Sequence, residues 1–188
     1  TFLVVDSTSV SERRMHEINV IGTMNLFAAA SAPGSTVRAV VVKSSAYVYG
    51  ATRDDPTWFR EITPRRAPPR SAVEQSLDAV EGYVRDFAQD NPHVDVALLR
   101  FSNVLGPDLT TPLSRALELP LVPTLLGFDP RFQFVHEIDV TRSICFAIER
   151  SLAGVYNVAG DGLLPWSEVI AMYGKRPAPI PPYGASWL

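Results

Sequence analysis

An α/β fold built on a parallel sheet is predicted by three features of this sequence. First, apolar strand-like runs alternate with helical periodicities: strand, helix, strand from Thr1 to Val42, then helix, strand from Ser71 to Leu99. That alternation marks parallel strands joined by crossover helices. Second, two apolar runs, Val37–Val42 and Val94–Leu99, end in small polar residues, Ser44-Ser45 and Ser102-Asn103. Open α/β sheets place ligand chemistry at such C-terminal strand ends. Third, two S-x-x-E capping boxes, Ser9–Glu12 and Ser71–Glu74, open the helices.

Taken in order, Thr1–Val5 reads as a buried strand. The helix after it carries Met15, Ile18, Ile21 and Met24 at three-residue steps. With Val20, Leu26, Phe27 and Ala28–Ala30 it is apolar nearly all round, which predicts extensive burial. Pro33-Gly34 ends it. The strand Val37–Val42 then runs into Ser44, Ser45 and Tyr49-Gly50, either a ligand-facing end or a core strand with surface serines. Residues 51–70 hold Pro56, Pro64, Pro68 and Pro69 among Arg60, Arg65, Arg66 and Arg70. This is a loop, read either as a lid whose arginines meet a phosphate or as a solvated charged segment.

Val73, Leu77, Val80, Val84 and Phe87 form a helical stripe stopped at Asn91-Pro92. Val94–Leu99 is the next strand, and Leu105-Gly106-Pro107 turns the chain. A short helix is expected over Leu113–Glu118 and a strand over Phe132–Val135. A helix through Val140, Ile144, Ala147 and Ile148 should follow, then a strand over Gly154–Val158 and a helix near Ser167–Tyr173. The tail Arg176–Pro182 carries too much proline for regular structure.

The 188 residues suffice for a substantial core, with 46% hydrophobic and 20% charged residues, ordinary for a globular protein. A net charge of -3 gives no general attraction to nucleic acid or acidic membranes. No apolar run approaches the roughly 20 residues needed to span a bilayer, and Thr1-Phe2 does not open a signal peptide. The missing initiator methionine points to a processed, truncated or partial chain. Cys145 is the single cysteine, expected in the core. It excludes an intrachain disulfide and fits a cytoplasmic location.

Four stretches together resemble one family. They are His16-Glu17-Ile18-Asn19-Val20-Ile21-Gly22-Thr23, Ser44-Ser45-Ala46-Tyr47-Val48-Tyr49-Gly50, Arg100-Phe101-Ser102-Asn103-Val104-Leu105-Gly106-Pro107 and Phe134-Val135-His136-Glu137-Ile138-Asp139-Val140. Their order and spacing resemble the extended short-chain dehydrogenase/reductases, the NAD-dependent epimerases and dehydratases of nucleotide sugars. Within that family the likeness is nearest to actinobacterial UDP-glucose 4-epimerase-like proteins. The resemblance implies a Rossmann-type doubly wound parallel sheet lacking its N-terminal part, with a small C-terminal substrate-binding region. Residues 1–107 would form a partial NAD-binding domain. Residues 108–188 would form a mixed substrate-binding region that returns elements to the main sheet.

The same resemblance implies site residues. Ser45 would be the catalytic-site hydroxyl. Asn19, Ser44, Ser45 and Phe101 would bind the nicotinamide half of NAD, with NADP left open, and Asn103 would bind the nucleotide sugar. His136 and Asp139 would be architectural. A homodimer would form through the helices near Glu12 and Ser71, with no nucleic-acid or membrane partner.

Two departures accompany the likeness. The family's base is a tyrosine with a lysine four residues later, and alignment on Glu81 puts Val73 and Leu77 at those positions. No G-x-x-G-x-x-G or G-x-G-x-x-G turn occurs to seat the NAD diphosphate at a helix N-terminus. Three readings follow: an epimerase/dehydratase-like oxidoreductase, a non-catalytic pseudoenzyme acting as a binding or regulatory module, or a partner-binding fragment that dimerises.

Overall fold

The computed structural model describes residues 11–52 and 54–181. The strand expected at Thr1–Val5, and Ser9 of the first expected capping box, lie outside them. Helical backbone begins with α1 (Glu12–His16), widens into a π-helical segment at Glu17–Ile21 and resumes as α2 (Gly22–Ala30). Strand β1 (Ala39–Ser45) leads through a 3-10 turn, Ala46–Tyr49, and the loop to α3 (Ala72–Asp90) and β2 (Asp95–Phe101). Then come β3 (Asn103–Leu105), α4 (Pro112–Glu118), β4 (Leu121–Leu125), β5 (Arg131–Phe132) and β6 (Phe134–His136). The chain ends through α5 (Glu137–Glu149), β7 (Gly154–Val158), β8 (Leu164–Pro165), α6 (Trp166–Met172) and β9 (Arg176–Ile180).

The elements divide into two compact units. One holds the chain up to Ser102 together with Ile138–Val158; the other holds Asn103–Glu137 and the residues from Ala159 onward. The first unit is built on a parallel three-stranded sheet in the order β1-β2-β7. β2 is central, and Val96–Leu99 is buried throughout. A strand covered on both faces reads as a continuous apolar run, which is what Val96-Ala97-Leu98-Leu99 is. The core of this unit gathers Phe27 and Ala30 from α2, Val84 and Phe87 from α3, and Val94, Val96 and Leu98 from the sheet region. The second unit has three two-stranded pairings: β3 with β6 and β4 with β9, both parallel, and β5 with β8, antiparallel. Its core gathers Leu117, Val122, Trp166, Val169 and Ile170.

Helix α3 matches its sequence pattern closely. Ser71 accepts from the Glu74 N–H while Glu74 returns to the Ser71 N–H, completing a capping box, and Asn91 forms the C-cap. The first helical run differs from expectation. Its buried residues are Met15, Asn19, Val20, Thr23, Phe27 and Ala30, whereas Ile21, Met24 and Leu26 are exposed. The buried row therefore runs at four-residue steps through 15, 19, 23 and 27, not at the expected three. A π-helical segment has more residues per turn than an α-helix, which brings residues four apart toward one face.

Two further expectations are corrected. Cys145 is exposed. The buried residues of α5 are Val140 and Ala147, and Cys145 lies about 140° around the helix from Val140. Within the proline-rich tail, Arg176–Ile180 is not irregular, because β9 pairs in parallel with β4. Pro177 and Pro179 sit two apart, so their missing N–H groups fall on the same side of an edge strand, where no ladder donor is required.

The rings of Phe27 and Phe87 stack at 4.5 Å between centroids, and each residue is at most 6% exposed. Phe87→Ala is expected to lower unfolding free energy by about 3–5 kcal/mol, measured as a lower urea midpoint. Ile62→Ala, at a residue 86% exposed, should stay within about 0.5 kcal/mol of the parent.

Candidate functional site

Strands β1 and β2 run parallel in a register that sets Ser44 opposite Arg100 and Ser45 opposite Phe101. The two serines, Arg100 and Phe101 therefore lie at one end of the sheet. Because strand side chains alternate between faces, adjacent serines part company. Ser44 is 2% exposed and its hydroxyl donates to Glu81 Oε1 at 2.6 Å. Ser45 is half-buried and stands at the N-cap of the 3-10 turn, where its Oγ accepts the Tyr47 N–H at 3.3 Å.

Glu81 is the centre of a polar network. It lies on the buried stripe of α3, four residues after Leu77 and three before Val84, and is 4% exposed. Arg100 meets it with two donors, Nε to Oε1 at 3.0 Å and Nη2 to Oε2 at 2.6 Å. Burying a carboxylate is costly unless its oxygens are paired, and here both are. The remaining Arg100 nitrogen, Nη1, donates to the Tyr49 hydroxyl at 2.9 Å and to the Glu61 carbonyl at 3.0 Å. Burial alone would lower the pKa of Arg100, but its bonds to Glu81 and Tyr49 outweigh that and raise it.

The Tyr49 hydroxyl donates onward to Asn157 Oδ1 at 2.6 Å. Asn157 donates from Nδ2 to the Phe59 carbonyl at 3.1 Å and from its backbone N–H to the Glu61 carboxylate at 2.9 Å. That N–H bond is the leading reason why the Glu61 carboxyl sits below the usual range. Phe59 stacks on Tyr49 at 4.8 Å. The loop is thus tied to the ends of the strands through Phe59 and Glu61. A groove of about 480 Å³ lined by Leu99, Arg142, Phe146, Leu152, Tyr156 and Asn157, among others, meets this network only at Asn157.

Of the loop arginines, Arg65 is half-buried and donates to backbone carbonyls and to Glu74, and Arg66 donates to the Asp54 carbonyl. Neither presents the open fork that a phosphate clamp would use. Val73 and Leu77 pack with Val48, Tyr49, Ala46 and Phe59 in a small apolar cluster. Tyr47 is 58% exposed, and partial desolvation raises its pKa.

The other sequence-derived site residues fall as follows. Asn19 lies in the π-helical segment, 6% exposed, with its Oδ1 unpartnered among the described residues; Ser102 Oγ is the other such atom. Phe101 is 1% exposed, beneath Lys43. Asn103 belongs to the second unit, where its Nδ2 donates to the Gln133 carbonyl at 3.0 Å. His136 is exposed, and Asp139 pairs with Arg142 at 3.2 Å on the surface.

Sequence reading named the Ser44-Ser45 and Arg100–Asn103 stretches but assigned no role to Tyr49, Glu61 or Asn157. The one local signal for the network was Glu81, a charge placed on an otherwise apolar helical stripe.

The model of the NAD dependent epimerase/dehydratase family matches residues 4–159. An uncharacterized protein of Mycobacterium tuberculosis and one of Mycobacterium bovis are each 42% identical over 171 residues, 90% of this chain. The chain spans 45% of the length of those relatives. Among solved structures, a UDP-N-acetylglucosamine 4-epimerase from Methanobrevibacter ruminantium superposes with a TM-score of 0.77 at 19% identity, covering 96% of this chain and 62% of that one. A dTDP-glucose 4,6-dehydratase from Bacillus anthracis, in complex with NAD, gives 0.72 at 22% identity, covering 92% and 58%. At these identities the likeness establishes the Rossmann-type α/β fold.

Arg100→Met alone would leave Glu81 buried without its counter-charge, held only by Ser44, and is expected to cost about 3–5 kcal/mol of stability. The double variant Glu81→Leu with Arg100→Met should cost clearly less than the sum of the two single changes. Urea unfolding of the three variants checks this.

Proposed function

This chain belongs to the NAD dependent epimerase/dehydratase family, and on that premise we propose that it contributes to binding NAD, with NADP left open, and a nucleotide sugar. In this reading Asn19, Ser44, Ser45 and Phe101 flank the nicotinamide half. Ser44 and Phe101 do so through backbone, since the Ser44 hydroxyl is held by Glu81 and the Phe101 ring is buried. The unpartnered Asn19 Oδ1 supports a polar ligand there, because a buried acceptor without a donor is otherwise costly. Ser45 is the hydroxyl proposed to hydrogen-bond the reacting sugar oxygen. Asn103, in the second unit, is proposed separately as a substrate contact. The described residues offer no glycine-rich seat for the diphosphate half.

Such a cofactor, when bound, supplies a hydride acceptor. Proton removal then falls to the protein, and the observation that carries our conclusion concerns that step. Val73 and Leu77, the positions aligned with the family's tyrosine and lysine, pack into an apolar cluster beside Tyr49. Neither side chain can accept or deliver a proton. For Tyr47, partial desolvation raises the pKa, the opposite of the lowering that a base requires. We therefore read the domain as an epimerase/dehydratase-type binding fold with its ordinary proton transfer disabled, a pseudoenzyme in the redox sense. A second reading, a dimerising regulatory module, is favoured by the exposed Ile21, Met24 and Leu26 on the first helical run. The proposed homodimer uses this run and α3.

With UDP-glucose or UDP-galactose plus NAD, turnover is expected to stay undetectable. Titration of NADH followed by nicotinamide fluorescence should saturate. Ser45→Ala should weaken UDP-glucose binding about tenfold, the scale of one lost hydrogen bond to a charged or polar ligand. A robust turnover rate would overturn the pseudoenzyme reading. For the dimer, sedimentation should give twice the chain mass, and Met24→Lys should shift it toward the monomer.

A further inference from the structure

We propose that Arg65 is a positioning residue for Ser45, acting by locking the turn that follows Ser45 onto the start of α3. The proposal rests on the reading of Ser45 as a binding hydroxyl. The Arg65 guanidinium is engaged on every nitrogen. Nε donates to the Ala67 carbonyl at 2.6 Å, Nη1 to the carbonyls of Val48 at 3.0 Å and Tyr47 at 3.3 Å, and Nη2 to Glu74 Oε2 at 2.8 Å. The Arg65–Glu74 pair is largely covered, with side chains 14% and 21% exposed.

Glu74 is itself fastened. Its Oε2 also accepts from the backbone N–H groups of Arg70 at 2.7 Å and Ser71 at 3.4 Å. Burial alone would raise its pKa, but these two N–H groups and Arg65 outweigh that and lower it. One planar cation therefore joins the 3-10 turn, the loop and the capping box of α3.

Gly50 gives this approach room. It holds φ at 76°, and a Cβ there would lie 3.0 Å from the Arg65 guanidinium carbon. The position of Ser45 Oγ depends on the same turn, because Oγ accepts the Tyr47 N–H inside it. Held in that way, Oγ keeps its own proton available for a ligand. Arg66, the next residue, is exposed and donates to the Asp54 carbonyl, taking no part in the clamp.

The test uses the full chain with Arg65→Ala, Arg65→Lys, Glu74→Gln and Ser45→Ala. Amide exchange at Tyr47–Gly50 should accelerate about tenfold or more in Arg65→Ala, with β2 amides unchanged. Arg65→Lys should not restore protection, since a single ammonium cannot span the same acceptors. UDP-glucose affinity should fall about tenfold in Arg65→Ala, yet change less than about twofold when Arg65→Ala is added to Ser45→Ala, as expected of groups acting through one another. Were Arg65→Ala too unstable, Glu74→Gln gives the same readouts with Arg65 in place. Unchanged exchange at Tyr47–Gly50 would overturn the clamp whatever the ligand results. Additive losses in the double variant would show that Arg65 does not act through Ser45 and would also overturn the proposal. Absence of UDP-glucose binding by the parent would sink the function proposed for Ser45, while the exchange data still decide the clamp.

Discussion

The first unit depends on one buried carboxylate. Glu81 is the one charged residue among the buried positions of α3, beside Leu77, Val84, Phe87 and the polar Ser76, where an unpaired charge would be prohibitive. Arg100 answers it with two parallel donors, and Ser44 adds a third. Those partners stand at the ends of two adjacent strands, so satisfying the charge fixes how α3 lies against the sheet. Hydrophobic contact alone would hold the helix near the sheet but would tolerate sliding. A bidentate pair with a fixed fork does not.

From that pair the constraint spreads across the end of the sheet. Arg100 holds Tyr49, Tyr49 holds Asn157 on β7, and Asn157 and Arg100 together hold the loop at Phe59 and Glu61. All three strands are thereby joined at the end where Ser45 emerges. Ser44 and Ser45 are chemically identical neighbours with opposite fates. One faces α3 and donates to Glu81; the other opens the 3-10 turn and accepts the Tyr47 N–H. A rigid surround of this kind suits the binding role proposed for Ser45, because such a role depends on tenths of an ångström. The same packing puts Val73 and Leu77 into an apolar cluster against Tyr49.

Legibility from sequence followed the range of the interactions. The α3 stripe, its Ser71–Glu74 capping box and its Asn91 stop were all readable, because each depends on residues within one or two turns. The central strand was readable from its unbroken apolar run. The first helical run was misread by its step, since a π-helical widening leaves no mark in a count of apolar residues. Cys145 was placed in the core because its neighbours are apolar, although only Val140 and Ala147 of α5 are buried. The prolines of Arg176–Pro182 argue against regular structure, yet β4 gives Arg176–Ile180 an edge to pair with.

The sequence by itself determined the order of strands and helices, the capped ends of α3, the parallel-sheet class and the family motifs. These rest on periodicity and on local backbone chemistry, which a linear chain displays directly. Tertiary structure alone decided which serine bonds Glu81, which charge neutralises Glu81, and where Arg65 and Arg66 of the loop go. Ser44 and Glu81 are 37 residues apart, and Tyr49 and Asn157 are 108 apart. No local pattern encodes such pairings. They exist because packed elements bring the groups within hydrogen-bond reach in a medium where an unmet charge or polar atom is too costly to leave.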